Sequence, residues 1–285
     1  MNSLTDTDNF LSFLLSLQKI DPMTVLSVFL LTLARIAPIV SIAPFFGAKN
    51  IRGTIKMMFA VAFCAIFVPQ NLLLIQGDIP YGMVFIGYFC KELLIGSVLG
   101  FIATVPFYIA TSTGTLIDHS RGSSALQVTD PSTQIQTSPI GILYNSILIV
   151  TFFTFGGHFI FFDALARSYQ LIPVDSLISG AFFSLTAPFW SQAIPLLQKM
   201  MDLTLRLAAP AIIGMLLTDL FLGIANRLAP QVQIVFLGIP LKSWVGIALM
   251  TASWALLLQV LGKETVGWFK ALQQIINQAS MEVSK

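Results

Sequence analysis

The chain has 285 residues, 56% of them hydrophobic and 10% charged, with a mean hydropathy of +0.85. A soluble domain is about 25% charged, so a fully water-facing fold of this length is excluded, and the chain belongs in lipid or inside a protein assembly. Its net charge of +2 sets up no strong field and gives no reason to expect a nucleic-acid partner.

In chain order, residues 1–21 form a leader. Its first basic residue, Lys19, follows Asp6 and Asp8, so it is not a secretory signal. Phe10–Leu17 reads either as a short amphipathic helix at an interface or as a weakly docked leader. A helix needs about 20 apolar residues to cross the hydrocarbon core. Pro22–Ala48, Met57–Gly77, Met83–Ile117, Ser132–Phe162 (apolar from Ile140), Ser176–Gln198, Leu203–Asn226 and Ser243–Gly262 are the candidates. They give an all-α, polytopic membrane protein of six or seven helices in one domain, residues 22–262, with a polar tail at 263–285. Prolines at 38, 44, 69, 106, 188, 195 and 210 each remove a backbone donor and are expected to kink or end a helix. Such breaks persist at membrane depth only where protein or water satisfies the freed carbonyls. The basic connection Lys49–Lys56 should face the cytoplasm, yet neither six nor seven spans satisfies the positive-inside rule in every loop. That conflict is explained if some segments do not span a bilayer.

The polar stretch Thr111–Ser138 reads as a loop. The cysteines, Cys64 and Cys90, sit in apolar runs and read as thiol filling. There is no HExxH, CxxC, P-loop or GxSxG pattern, and His119 and His158 have no nucleophile placed beside them, so no enzyme, metal or cofactor is expected. Charges within apolar segments are costly and normally paired. They are Arg35, Lys91, Glu92, Arg206 and Asp219. Arg206 and Asp219 fall on opposite helix faces and cannot pair within one helix. Asp219, Gly223 and Arg227 follow one another at one-turn spacing, which suits close helix packing and an ion pair to another helix or subunit.

The motifs taken together resemble a known family. Leu207–Lys242, LAAPAIIGMLLTDLFLGIANRLAPQVQIVFLGIPLK, is similar to the C-terminal signature of the FliR/SctT family (YscT, EscT, SpaR), subunits of the type III secretion export gate. LARIAPIVSIAPFFG with Lys56, KELLIG at Lys91–Gly96, STGTLIDHSRG at Ser112–Gly122, DPSTQIQTSPIGILY at Asp130–Tyr144 and GGH at Gly156–His158 follow in the family's order. The resemblance covers roughly residues 25–262, and TSPIGILYNS and SYQLIP look closer to the virulence branch than to the flagellar one. His119, Ser120 and Arg121 depart from the neutral residues of the family's central motif.

The resemblance implies a multi-pass protein of the bacterial inner membrane. Such a protein is a pore-forming structural subunit that helps conduct and gate unfolded secreted proteins, with membrane lipid as a further partner. It implies assembly with SctR-type and SctS-type subunits and contact with SctU-type and SctV-type proteins. It places Gly114, Ile117, Asp118, Arg121, Gly122, Asp130 and Pro131 in a pore or plug loop. It gives Arg35, Pro38, Pro44, Lys56, Lys91, Glu92, His158, Pro210, Asp219, Gly223, Arg227, Pro230, Gln231 and Lys242 roles in assembly. A secondary transporter or channel for a small solute is the alternative. Broken helices with deep charges also suit a transporter, but no related halves are visible.

Overall fold

A computed structural model of the chain describes residues 21–47, 51–75, 82–121, 138–176, 188–228 and 234–252, together with Gln259 and Gly267. Among these there is no strand. Seven α-helices run in order: α1 Pro22–Ile42, α2 Gly53–Leu74, α3 Met83–Ser120, α4 Pro139–Thr154, α5 Gly157–Leu171, α6 Pro188–Leu228 and α7 Ile234–Ala252, with a 3-10 turn at Pro44–Phe46. α1, α2, α3 and residues 197–228 of α6 are long and apolar enough to cross a membrane, and α4 with α5 would make a fifth span. The leader at 1–21, apart from Asp21, and the tail at 263–285, apart from Gly267, lie outside the described residues.

The helix ends have local causes. Pro22 and Pro139 sit at first-turn positions, where a missing N–H costs nothing. Ser138 caps α4, its Oγ accepting the Gly141 N–H at 2.9 Å. α4 stops at Phe155, followed by Gly156 at φ 70°, a left-handed position that glycine takes without steric cost. The single segment expected over Ser132–Phe162 is therefore two helices.

Two further expectations are corrected, while the prolines divide between lying inside a helix and bounding one: α1 runs through Pro38, α2 through Pro69, α3 through Pro106, and α6 through Pro195 and Pro210. Only Pro44 follows a helix end and Pro188 opens one. Leu203–Asn226 and the C-terminal part of Ser176–Gln198 are one helix of 41 residues, because Lys199, Met200 and Met201 are good helix formers and Asp202 pairs with Arg206 one turn on. Thr111–Ser120 is the end of α3, not loop. Its hydroxyls are spent on the preceding turn, Thr111 donating to the Phe107 carbonyl, Thr113 to Ile109, Thr115 to Thr111 and Ser120 to Leu116, so the polar composition leaves the helix intact.

The chain forms two compact units. Among the described residues the first holds 21–104, 159–176 and 188–191, and the second holds 105–158, 192–228 and 234–252. In the first, Gly96 and Gly100 on α3 let that helix lie directly on the α1 backbone. A Cβ at Gly96 would run into the Arg35 carbonyl oxygen, and one at Gly100 would sit 3.1 Å from the Ile39 Cα. This small-xxx-small approach is the usual device for bringing apolar helices together without a hydrophobic driving force. Phe67 and Tyr169 pack at 5.8 Å between α2 and α5, and the Asn71 amide donates to Thr32 Oγ1 at 2.9 Å. In the second unit, Gly114 of α3 meets Gly141 of α4 backbone to backbone, a Cβ there lying 2.5 Å from the Gly141 Cα. Phe107 and Phe152 pack edge to face beside it.

Candidate functional site

Two buried ionic clusters and a set of open ion pairs organise the charge placed within the apolar helices. The first cluster lies in the first unit. Arg35 and Glu92 are fully buried. The Arg35 guanidinium donates through Nε to Glu92 Oε2 at 2.5 Å and through Nη2 to Oε1 at 2.9 Å, the two-pronged geometry that makes such pairs strong. Its remaining donors reach Ser168 Oγ and the Ile172 carbonyl, and the group lies 4.2 Å over the Tyr169 ring. Lys91 Nζ sits 2.8 Å from Glu92 Oε1 and donates to the carbonyls of Pro173 at 2.7 Å, Ser176 at 2.8 Å and Val174 at 3.4 Å.

Two cations thus share one carboxylate. The imbalance is met by the carbonyls just beyond α5, the negative end of that helix, and by Asp175 within electrostatic reach of Lys91. Lys91 does not snorkel to a surface. The cluster closes the C-terminus of α5 onto α1 and α3.

The second cluster lies in the second unit and has the opposite polarity. Asp118, buried at the end of α3, accepts the Ser138 hydroxyl at 2.5 Å and the Ile140 N–H at 3.0 Å through Oδ2. Its Oδ1 lies 2.9 Å from Arg121 Nη2. An anion is thereby held against the positive N-terminus of α4. The Arg121 stem packs against Gly246 of α7 and near Met215 of α6. Gly114 and Ile117, expected in a pore loop, are packing positions on α3. Gly122, Asp130 and Pro131 of the same expectation lie outside the described residues.

The third feature is open. Asp219 on α6 pairs with Lys242 on α7, and their side chains remain 46% and 22% exposed. Arg206 pairs with Asp202 one turn away, more exposed still. Gly223 is unlike the glycines above, because nothing lies within 4 Å of where its Cβ would be. Arg227 is exposed at the end of α6. His158 opens α5 with its ring 5.5 Å from that of Phe153, and Lys56 lies in the first turn of α2. Pro230 and Gln231 lie outside the described residues. Among the described residues, no group of three or more His, Cys, Asp or Glu could hold a metal ion.

Sequence reasoning passed over Ser138, Ser168, Tyr169 and the pair Gly96 and Gly100. Ser138 followed by proline is a readable helix start, and GSVLG at Gly96–Gly100 is a readable packing motif. Nothing marked Ser168 or Tyr169 in advance, because their roles come from residues more than a hundred positions away.

The ordered motifs that supply these clusters have known counterparts. The profile of the bacterial export proteins, family 1, matches residues 26–266. The chain belongs to that family. It is the FliR/SctT family that the motifs resemble, and with four or five apolar spans among its described residues this member is a multi-pass helical membrane protein. It is 32% identical to Yop proteins translocation protein T of Yersinia pestis over 160 residues, 56% of this chain and 60% of the relative. The chain therefore spans about 60% of the length of that relative. It is 31% identical to secretion system apparatus protein SsaT of Salmonella typhimurium over 199 residues, 69% of this chain and 73% of that one. It is 28% identical to flagellar biosynthetic protein FliR of Escherichia coli over 230 residues, 80% and 84% of the two chains.

Proposed function

We propose that the protein is a structural, non-enzymatic subunit of a type III secretion export gate in the bacterial inner membrane, where it helps form and gate a path for unfolded protein substrates. The observation that carries this reading is family membership over residues 26–266. The relatives with the higher identities are named for secretion and translocation and a further one for flagellar biosynthesis, which supports the virulence-type branch. The partners on this reading are SctR-type and SctS-type gate subunits and the SctU-type and SctV-type export proteins. The open apolar faces of α2 and α6, the half-exposed Asp219–Lys242 pair and the unfilled Gly223 support a chain built to be covered by something else.

In this reading the region Thr111–Ser138, of which 122–137 lie outside the described residues, lines or plugs the pore. Purification from membranes in mild detergent tests the class: two small helical subunits should accompany the chain, and recovery of the chain alone would overturn it. Deleting Ser123–Val128 tests the plug. Cells carrying the assembled complex should then leak small ions, and unchanged conductance with full assembly would return that segment to a simple connector.

A further inference from the structure

We propose that the two units are separate bodies joined by hinges, and that the second body turns on them, carrying both ends of the Thr111–Ser138 region with it. Among the described residues the chain crosses from one unit to the other at three places: after Thr104, after His158 and after Ser191. Each crossing falls at a weak point of the backbone.

The first crossing lies inside α3. Pro106 has no N–H for the Ile102 carbonyl, so the turn Ile102–Pro106 lacks the bond that would stiffen it, and the unit boundary falls within that turn. The Thr104 hydroxyl also bonds back to the Phe101 carbonyl at 2.7 Å, an arrangement that bends helices. The crossing after Ser191 repeats the pattern in α6, where Pro195 has no N–H for the Ser191 carbonyl. The crossing after His158 closely follows two non-helical residues, Phe155 and Gly156. Gly156 is at φ 70°, and glycine populates both signs of φ, so this link swivels at little cost. Hinges are commonly a few residues of this kind, placed to absorb a change in backbone angle.

Prolines alone do not make a hinge. Pro38, Pro69, Pro210 and Pro240 also lie inside helices, but each lies within one unit, where packing on both sides braces the turn. α3 shows the contrast. Before Ile102, Gly96 and Gly100 hold it against α1, and Glu92 ties it to Arg35. After Pro106, Gly114 meets Gly141, and Asp118 holds Ser138. Both sets of clamps join residues of one unit only, and the unbonded turn lies between them. Length adds to the effect. The 38 residues of α3 extend about 57 Å at about 1.5 Å per residue, nearly twice the hydrocarbon core of about 30 Å, so a single bilayer span does not keep the helix straight.

The hinge stands on the backbone alone, whereas its use in export rests on the function proposed above, so the two are measured separately. Spin labels are placed pairwise on the full-length chain in a Cys64→Ala, Cys90→Ala background, at exposed positions. Met23→Cys with Met58→Cys lies within the first unit, Leu205→Cys with Leu228→Cys within the second, and Met58→Cys with Leu205→Cys across the two. Pulsed electron paramagnetic resonance should give narrow distance distributions for the two internal pairs and a broad one for the pair across. Pro106→Ala with Pro195→Ala restores both missing N–H groups and should narrow the pair across toward the width of the internal pairs. A pair across as narrow as the internal pairs in the wild-type backbone would overturn the proposal, whether or not the proline variant is recovered. So would a broad distribution that the double variant leaves unchanged.

The same double variant tests the link to export. Secretion by cells carrying it should fall while the yield of complex stays constant. Unchanged secretion, with the distances narrowed, would overturn the part of the proposal that gives the motion a role at the gate and leave the hinge standing. A wild-type chain that brings down no partner subunit counts instead against the export-gate reading, and the distance distributions still decide the hinge.

Discussion

Glu92 and Asp118 are buried carboxylates of the same helix, α3, and they answer opposite needs. Glu92 holds two cations whose spare donors cap the carbonyls beyond the C-terminus of α5. Asp118 is itself the cap, accepting a hydroxyl and an N–H at the N-terminus of α4. A helix end buried in an apolar setting leaves backbone groups with no water to bond. Each unit solves that with a charge of the sign the helix end requires. The difference lies in the consequence of loss. Removing Glu92 orphans two buried cations, whereas removing Asp118 orphans one cation and two hydrogen-bond donors.

The largest effect should therefore come from Glu92→Gln. Breaking a buried ion pair from one side costs about 3–5 kcal/mol, so the variant should give little monodisperse protein in detergent and a much lower thermal midpoint. The partner test is the triple variant Arg35→Leu, Lys91→Leu, Glu92→Leu, which removes all three buried charges and should recover a good part of the loss. A triple variant as unstable as Glu92→Gln would mean that the ionic cluster is not what orders this unit.

Backbone contact comes next. Gly96→Val places methyl groups against the Arg35 carbonyl, which cannot yield as a side chain can, and overpacking of this kind costs about 1–3 kcal/mol. Gly223→Ala is the counter-case. Its Cβ meets open space, and alanine is better than glycine in a helix by about 1 kcal/mol, so the isolated chain should become more stable. Opposite shifts in thermal midpoint for the two variants are the expected result. A loss for Gly223→Ala in the complex alone would show that a partner uses the recess.

For Asp118, the two replacements separate charge from hydrogen bonding. Asp118→Ala leaves the Ser138 hydroxyl, the Ile140 N–H and Arg121 without their acceptor, at about 1–3 kcal/mol for buried groups left unpaired. Asp118→Asn keeps an acceptor in place and should recover part of that stability, measured as thermal midpoint under the same conditions. Equal midpoints for the two variants would show that the charge facing Arg121, not the cap on α4, is what matters.

How much of this was legible differs from element to element. Apolar length alone placed α3 within three residues of its true end, because nothing but a helix satisfies the backbone in so long an apolar run. The pairing of Arg35 with Glu92 was not legible, since the residues are separated by 57 positions and spacing says nothing about contacts between helices. Their ion pair joins α1 to α3 within this chain. Thr111–Ser120 misled by composition, since hydroxyls that bond back to the preceding turn look like loop residues in a sequence. The break at Gly156 was visible as a double glycine but was read only as a family motif. The charges that sequence could not pair, Arg206 and Asp219, found partners one turn away and on the next helix.

The smallest expected effect belongs to the most exposed of these pairs. Arg206 donates to Asp202 at 2.7 Å, but three-quarters of its side chain and half of that of Asp202 are open. An exposed pair one turn apart contributes only about 0.3–0.5 kcal/mol, so Arg206→Ala should barely move the thermal midpoint of the isolated chain. The same substitution bears on what covers α6. Its exposed face carries Leu205, Ile213, Leu216, Leu220 and Ile224, and in the complex it must meet either lipid or protein. If protein closes over it, Asp202 is desolvated beside a missing partner, and the penalty rises toward that of a buried broken pair. Complex yield for Arg206→Ala should then fall well below that for Arg206→Lys, which keeps the charge. If yields match while the midpoint stays fixed, α6 presents this end to water or headgroups, and the contrast between buried and open charges stops at the surface of the single chain.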